Sequence, residues 1–339
     1  MVRTQLPEVS SRVRSLLKIA VLPVCALLLL LWAATTLVPA DGLGGDTRAT
    51  AVAALAATAP VITLLAIVLI TLALRRRRFE TVVITALAAL LPWVTQAAGL
   101  LGDQPNIAEA TDLRVMVINA GDGRASAQDI VAAVTGNAIQ VLVVTELTNE
   151  LAHDLTTAGL NKSVTAAWVA LPGQPGVATE DGAGMGVWTS VPVESTDDVP
   201  GTSWPARRLT LADPKVTLVA GHVVNPLPFN GSRWANDLRA LRNAGRSAGR
   251  PTVVLGNLNA TSWHADLRAF HSAGLPDAVA VLGGGPLPTW PSWSPVALLQ
   301  LDHVMVSRDI AVPSTGTVAI DGSDHRGLLA SLRIPLTPG

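Results

Sequence analysis

The stretch VLVVTE, residues 141–146, is an apolar run that ends on a carboxylate. Four consecutive Val and Leu residues before a Thr are typical of a strand that is buried on both faces. A carboxylate at the end of such a strand is costly unless a cation or hydrogen-bond donors meet it at the edge of the sheet. Glu146 therefore predicts a polar site at the end of a buried strand.

Other apolar runs in the C-terminal two-thirds of the chain also end on polar side chains. These are Asn119 after RVMVI, His222 after LVAG, Asn257 and Asn259 in VVLGNLN, Asp302 in LDHVMV, and Asp324 and His325 in SDHRG. One polar residue at a strand end is usually a loop cap. Six such ends in one domain are better explained by a shared site.

Short β-rich runs alternate with helical segments from residue 113 onward. The pattern predicts helices at 127–135, 149–158, 232–246 and 264–272, and strands at 113–119, 141–146, 163–171, 184–190, 208–211, 216–222, 252–256, 301–307 and 327–334. This order predicts an α/β four-layer sandwich, in which two mostly antiparallel sheets lie face to face and are flanked by helices.

The order of these polar strand ends resembles the endonuclease/exonuclease/phosphatase (DNase I-like) superfamily, which includes nucleases, sphingomyelinases and inositol polyphosphate 5-phosphatases. The family pattern is an Asn, a Glu, a His, a Gly-Asp-x-Asn, an Asp before an apolar strand and a Ser-Asp-His. The matching residues are Asn119, Glu146, His222, Gly256–Asn259, Asp302 and Ser323–His325, and the loop PTWP at 288–291 and the strand GMGVWTS at 184–190 are also similar. The resemblance covers residues 113–335.

The resemblance implies a Mg²⁺-dependent (or Mn²⁺-dependent) phosphoesterase. Its metal would be held by Glu146, with Asn119 as a further ligand or as the group that holds the carboxylate, and Asp324 as a ligand of the metal or a partner of the neighbouring backbone. His325 would be the general base or a phosphate-binding imidazolium, and Asp302 would fix its tautomer. His222 and Asn259 would donate hydrogen bonds to the phosphoryl oxygens.

Asn257 departs from the family pattern, because the Gly-Asp-x-Asn motif reads Gly-Asn-Leu-Asn here. The family Asp is credited with orienting or deprotonating the attacking water, and an amide cannot accept that proton. General-base catalysis typically contributes about 10²–10⁴-fold. The sequence therefore leaves two hypotheses open. The domain is either an enzyme that relies on His325 or a catalytically silent module that binds the cell envelope.

Three apolar stretches precede this domain, at 16–38, 49–74 and 81–101. Each has the roughly 20 apolar residues needed to cross about 30 Å of hydrocarbon, and the first is too long for the core of a signal peptide. Basic residues cluster before the first stretch and at 75–78, whereas the segments on the other side are acidic. This distribution predicts a multi-pass membrane protein with a cytoplasmic N-terminus and an extracytoplasmic C-terminal domain.

The predicted organisation is a cytoplasmic N-terminus at 1–15, three transmembrane helices within 16–101, a linker at 102–112 and the folded domain at 113–339. Residues 1–111 carry nine Lys or Arg against six Asp or Glu, a net charge of +3. Residues 112–339 carry fifteen against nineteen, a net charge of −4. The only cysteine, Cys25, lies in the first apolar stretch, which excludes a thiol nucleophile from the folded domain.

An acidic domain beside a membrane is poorly suited to nucleic acid, whose binding normally needs a basic face. Some bacterial family members with an N-terminal membrane region, linked to glycopeptide resistance through action on envelope lipid pyrophosphates, resemble this layout. That resemblance implies membrane lipids as partners and a lipid-linked phosphate or phosphodiester as substrate. An extracytoplasmic nuclease is the alternative within the enzyme class, and a transporter has only three uncharged spans to support it.

Overall fold

Two mixed β-sheets lie face to face in the computed structural model, which describes residues 11–249, 251–294 and 297–336. The strands are β1 (Ala110–Asn119), β2 (Val141–Thr145), β3 (Thr165–Ala170), β4 (Met185–Thr189), β5 (Val193–Asp198), β6 (Arg207–Ala212), β7 (Lys215–Ala220), β8 (Thr252–Asn257), β9 (Asp302–Val306), β10 (Ala311–Val318) and β11 (Gly327–Pro335). The first sheet has the order β10-β11-β1-β2-β4-β3 and the second the order β5-β6-β7-β8-β9.

Helices α6 (Ala127–Gly136), α7 (Asn149–Thr157), α8 (Gly231–Ser247) and α9 (Ala265–Ser272) cover the outer faces of the sheets. The short helix α10 (Ala278–Leu282) instead packs Ala278 and Val281 into the core between the sheets. Strand β1 shows why the layers form, since Val115 and Val117 face the second sheet while Met116 and Ile118 pack with the residues of α6 and α7. The period of two residues along a strand thus buries both faces of the sheet.

Each sheet contains one pair of parallel strands, and these strand pairs bring the polar residues to the same edge of the sheet. Strands β1 and β2 run parallel, with Asn119 beside Thr145, so Glu146 emerges at the same edge as Asn119. Strand β11 is antiparallel to β1 and begins at that edge, directly after His325. In the second sheet β7 runs parallel to β8, and Asn257 pairs with Asp302 of the antiparallel β9.

The predicted sandwich is confirmed, although the sheets are mixed and two strands were missed. Both missed strands, β5 and β10, lie at the ends of their sheets. An end strand has one unpaired edge and needs no continuous apolar run, and β5 reads VESTDD while β10 contains Pro313 and Gly316. The short helix α10 was also missed, because its five residues are too few to show a helical period.

The N-terminal part is helical and forms a small bundle. Its helices are α1 (Ser11–Ala34), α2 (Asp46–Ala57), α3 (Ala59–Arg75), α4 (Phe79–Val94) and α5 (Ala97–Leu101), of which α1, α3 and α4 pack together. Small side chains such as Ala26, Ala33 and Ala88 are buried between them. Large apolar side chains point outward, and Leu31 and Leu64 are 67% and 66% exposed.

The prediction of three transmembrane helices is corrected to one helix that is long and apolar enough to cross a membrane, Ala20–Leu37, among the residues that the structure describes. The second predicted span is broken by 61° between α2 and α3, where Pro60 lies in the first turn of α3. Proline is favoured there because it has no N–H to lose and begins a new helix readily. The third is the 16-residue α4, about 24 Å long, followed by the separate α5.

Gly184 allows a close contact that supports the site, and we expect its replacement to destabilise the fold. A Cβ at this position would lie 1.8 Å from the carbonyl oxygen of Leu147, which is backbone and cannot swing away. The Gly184→Ala variant should lose about 1–3 kcal/mol of unfolding free energy, as overpacked cores do. Thermal unfolding of the detergent-solubilised chain measures this loss. Gly316→Ala, which meets no atom within 4 Å, is the control and should be close to wild type.

Candidate active site

Glu146 lies directly after β2, with its carboxylate held between two N–H donors. The Nδ2 of Asn119 donates to Oε1 at 2.8 Å, and the backbone N of Asp122 donates to Oε2 at 2.8 Å. Burial raises the pKa of Glu146 and outweighs these two donors, which act to lower it. Glu146 also has a positive φ of 54°, a strained conformation that costs a non-glycine residue about 1–3 kcal/mol.

Asn119 uses both ends of its side-chain amide locally. Its Oδ1 accepts a hydrogen bond from the backbone N of Gly121 at 2.8 Å, while its Nδ2 holds Glu146. Its carbonyl oxygen accepts from the Oγ of Ser323 at 2.7 Å, which connects β1 to the segment before β11. Of the two roles predicted for Asn119, this geometry favours holding the carboxylate over binding the metal directly.

Asp302 and His325 form a buried pair across the two sheets. The Nδ1 of His325 donates to Oδ2 of Asp302 at 2.7 Å, because a carboxylate only accepts. The backbone N of His325 is fixed by Ser323 Oγ at 2.9 Å. Burial opposes the imidazolium, but the nearby carboxylates of Asp302, Asp324 and Glu146 outweigh it and raise the pKa of His325. His325 is thereby held toward its protonated form, with Nε2 as its second donor.

His222 is the opposite case. Its Nδ1 contacts the carbonyl oxygen of Gly182 at 2.8 Å and must donate to it, so in the neutral ring Nε2 carries a lone pair. Complete burial lowers the pKa of His222 to about 4, which keeps the ring neutral. Nε2 lies 3.9 Å from Oε1 of Glu146. This geometry favours an acceptor at Nε2 over the predicted donation from His222 to a phosphoryl oxygen.

Asn257 and Asn259 lie at the end of β8 and are connected to each other. Oδ1 of Asn257 accepts from the backbone N of Asn259 at 2.8 Å, which leaves the buried Nδ2 of Asn257 without a partner. Asn259 has a positive φ of 46°, and its Nδ2 donates to the carbonyl of Val223 at 2.8 Å. Asn257 therefore presents a donor where the family motif has an acceptor.

Asp324 is held at the border of the site. The indole Nε1 of Trp290 donates to its Oδ2 at 3.2 Å, and Oδ1 lies close to Gly121. These contacts favour the second of its two predicted roles, a partner of the neighbouring chain, over metal binding. Its charge still contributes to the raised pKa of His325.

Contacts across the two sheets bring these residues into one site. Asp302 of the second sheet accepts a hydrogen bond from His325, and Nε2 of His222 lies 3.9 Å from Oε1 of Glu146. Buried polar atoms without a partner collect here, namely Asp302 Oδ1, His222 Nε2, Asn257 Nδ2 and the Nε1 of Trp204, whose ring packs 4.5 Å from that of His222. Such atoms are costly unless they face water or a polar ligand, so the site is built to bind one.

A divalent cation fits the donor set at Glu146. Among the described residues no three His, Cys, Asp or Glu side chains form a metal cluster. Magnesium does not need such a cluster, because it is often bound through one or two carboxylates and keeps several waters. Asn119 and Asp122 donate one N–H each to Glu146, so further carboxylate lone pairs stay available for such an ion.

Several supporting residues were not predicted. The backbone N of Asp122 and the carbonyl of Gly182 act through the main chain, which carries no residue-type signal. Thr289 accepts from the backbone N of Asp302 at 3.3 Å, and its signal was the PTWP loop that resembles the family. His303 forms a second buried pair with Asp277, which joins α10 to β9 outside the site.

Comparison with known proteins finds a family match over most of the folded domain. The sequence profile of the Endonuclease/Exonuclease/phosphatase family matches residues 116–325. That segment includes all eight predicted site residues, from Asn119 to His325. No curated protein sequence matches the chain.

Solved structures share the sandwich at low sequence identity. D. rerio TDP2 complexed with single strand DNA product has a TM-score of 0.52 and 15% identity, covering 66% of this chain and 99% of its own. An endonuclease/exonuclease/phosphatase family protein from Bacteroides thetaiotaomicron has a TM-score of 0.51 and 15% identity, covering 67% and 99%. The mannosyl-6-phosphatase Bt3783 of Bacteroides thetaiotaomicron has the same score and identity, covering 65% and 99%. At such identities the likeness concerns the fold.

Proposed function

Because the chain belongs to the endonuclease/exonuclease/phosphatase family, we propose that it is a metal-dependent phosphoesterase whose site lies between Glu146 and His325. The observation that carries this proposal is the cross-sheet pairing of Asp302 with His325 at 2.7 Å opposite the doubly hydrogen-bonded Glu146. Cleavage of a phosphate ester requires positive charge at the developing oxyanion and a fixed position for the attacking water. Both requirements are met by residue types present at this site.

Glu146 would hold the divalent cation, Mg²⁺ or Mn²⁺, with water and substrate oxygens completing its coordination. A cation bound there would neutralise charge on the phosphoryl group. The His325 imidazolium supplies a second positive charge and a hydrogen bond from Nε2 to a phosphoryl oxygen. Asp302 fixes the ring by accepting from Nδ1, so that Nε2 points away from the carboxylate. The metal role predicted for Asn119 becomes one of positioning Glu146.

In this site the donor and acceptor roles of Asn257 and His222 differ from those of the family motif. Asn257 donates from Nδ2 and so binds an oxygen that carries negative charge, whereas the family Asp would accept a proton. His222 offers the acceptor that the amide lacks, since its Nδ1 proton is committed to Gly182. Asn259 uses one Nδ2 proton for Val223 and keeps the other for substrate.

The N-terminal helices would anchor this domain outside the cytoplasm. Support comes from Ala20–Leu37, only 22% of which is buried, which is unlike the core helix of a water-soluble protein. The outward large side chains and buried alanines of the α1, α3 and α4 bundle are typical of helices packed in lipid. The basic N-terminus would face the cytoplasm, so that one crossing by Ala20–Leu37 places the folded domain on the other side. A lipid-linked phosphate or phosphodiester is then the substrate class within reach.

A silent binding module is the second candidate, and Asn257 is the observation that favours it. The two candidates are separated by a metal titration of the full chain in detergent, combined with a panel of phosphomonoesters, phosphodiesters, lipid phosphates and DNA. We expect Mg²⁺- or Mn²⁺-dependent turnover of a lipid phosphate. Turnover of DNA alone would instead support the extracytoplasmic nuclease.

The Asn257→Asp variant distinguishes further between an active enzyme and a silent binding module. If the amide of Asn257 acts as a donor beside an acceptor on His222, the wild type is active and does not require the added carboxylate for turnover. The wild type could instead show no turnover while Asn257→Asp is active. That result would contradict the phosphoesterase hypothesis and support the silent module. Asn243→Asp, on the outer helix α8, is the matched control for the added charge.

A further inference from the structure

The site edge of the second sheet is docked on one end of the helical bundle. Trp263, six positions after Asn257, is 6% exposed and packs in the apolar cluster of the bundle with Ala33 and Ala59. Its ring meets that of Trp93, near the end of α4, edge to face with centroids 5.2 Å apart. Beside it, Gln96 Nε2 donates to the carbonyl of Ser262 at 2.8 Å.

The segment that follows Trp263 is hydrogen-bonded to α2 and to the connection between α1 and α2. His264 Nε2 donates to the carbonyl of Ala53 at 2.9 Å. Asp266 accepts from the backbone N of Ala40 at 2.8 Å and of Asp41 at 3.1 Å. These contacts bury polar groups on both sides, so the bundle and the site edge form one continuous body.

Exposed apolar side chains of the folded domain concentrate at the same edge. The loop after His222 carries Leu227 and Phe229, which are 52% and 66% exposed. The loop before Asp302 carries Trp293 and Leu298, which are 77% and 65% exposed. Because β8 is parallel to β7 and antiparallel to β9, both loops leave the sheet where Asn257 ends β8. We call Leu227, Phe229, Trp293 and Leu298 the apolar rim.

The first of these loops also touches the connection to the bundle. Thr50 of α2 donates from Oγ1 to the carbonyl of Pro226 at 3.1 Å and accepts from the backbone N of Gly231 at 3.0 Å. Asp46 accepts from the backbone N of Ser232 at 3.1 Å. Leu227 and Phe229 therefore lie on a loop tied at both ends to α2, which leads into the lipid-type surface of α3.

We propose that the apolar rim inserts into the outer leaflet of the bilayer that holds the bundle, so that the site takes phosphate esters of membrane-embedded amphiphiles directly from the lipid surface. The bilayer is the occupant because the loop of Leu227 and Phe229 is hydrogen-bonded to α2, and the outer face of the adjoining bundle is already apolar. Large aromatic and aliphatic side chains at the head-group level are typical of interfacial binding. This proposal rests on the proposed phosphoesterase function for its substrate class but not for its membrane contact.

A quenching experiment tests the membrane contact without any turnover. In a Cys25→Ala background, single cysteines at Phe229 and Trp293 are labelled with an environment-sensitive fluorophore. The full chain is then reconstituted in vesicles of phosphatidylethanolamine and phosphatidylglycerol that contain nitroxide-labelled lipid. We expect strong quenching at both positions. Lys215 is the first residue of β7 at the opposite end of the strand, and its side chain is 75% exposed. A label on Lys215→Cys should therefore stay unquenched. An unquenched label at position 229 overturns the proposal.

A kinetic comparison tests the substrate class. Phosphatidic acid in vesicles and glycerol 3-phosphate in solution carry the same ester with and without acyl chains. The double variant Leu227→Ser with Phe229→Ser should lower kcat/KM for the vesicle substrate by about tenfold and leave that for glycerol 3-phosphate unchanged. Leu336→Ser, also an exposed leucine, is the matched control. Equal effects on both substrates would overturn the proposed route, whereas no turnover of either by the wild type would count against the phosphoesterase function and leave the quenching result valid.

Discussion

Glu146→Gln is expected to lower metal-dependent phosphoester hydrolysis by about 10²–10³-fold, the scale of losing a charge-stabilising group at a transition state. The amide has nearly the same shape, so the change removes charge and one acceptor without opening a cavity. One of the two N–H groups that hold Glu146, from Asn119 or Asp122, would then face an NH₂ group. Rates measured across a Mg²⁺ series should show both a lower kcat and a weaker apparent affinity for the metal.

Metal binding measured by calorimetry separates this effect from a structural one. The Glu146→Gln variant should bind Mg²⁺ more weakly while its thermal unfolding stays cooperative. Glu150→Gln, an exposed glutamate in the first turn of α7, is the matched control and should keep wild-type rates. Wild-type metal affinity in Glu146→Gln would rule out Glu146 as the metal ligand, whatever happened to the rate.

His325→Ala is expected to lower kcat by about 10²–10⁴-fold, the range of acid–base and charge-stabilising imidazoles. The loss should be larger in kcat than in KM, because the imidazolium meets charge that develops in the transition state. The pKa of His325 is raised, so its positive charge is present on the acid side of that pKa and is lost as the pH rises through it. The wild-type rate should therefore fall on the alkaline side.

The pH profile distinguishes a catalytic from a structural effect of this change. If His325 carries the positive charge, the alkaline fall disappears from the residual activity of His325→Ala. His153→Ala, an exposed histidine in α7, is the control and should keep both the rate and the profile. An unchanged alkaline limb in His325→Ala would show that another group titrates there.

Sequence reasoning found the site because the buried runs are so regular. VLVVT and TVVLG can hardly be anything other than central strands, and the polar residue that ends each must lie at a sheet edge. The strands β5 and β10 were not predicted, because an outermost strand is partly solvated and its sequence is similar to that of a loop. The orientation of the His222 ring was not predicted for another reason. Its hydrogen-bond partner is a backbone carbonyl oxygen forty positions earlier in the chain, which the residue type does not reveal.

The N-terminal helical segment was the hardest part to predict, because composition alone cannot distinguish a membrane span from a helix that packs on protein. Residues 49–74 are apolar throughout, yet the chain bends at Thr58. Ala49 and Ala53 of α2 pack with Trp234 of the folded domain. Alanine is apolar enough for lipid and small enough for close helix packing. Its presence therefore favours neither a membrane span nor a helix packed on protein.

The position of α2 sets an order for the biogenesis of the protein. Ala49 and Ala53 leave the ribosome about 180 residues before Trp234, the indole against which they pack. On the proposed topology, in which α1 crosses the membrane, both alanines must first reach the outer side. The outer layer of the second sheet is then completed only when α8 arrives on that same side. Membrane insertion would thus precede the folding of this domain, and a chain inserted in the wrong orientation would leave this part of its core unfilled.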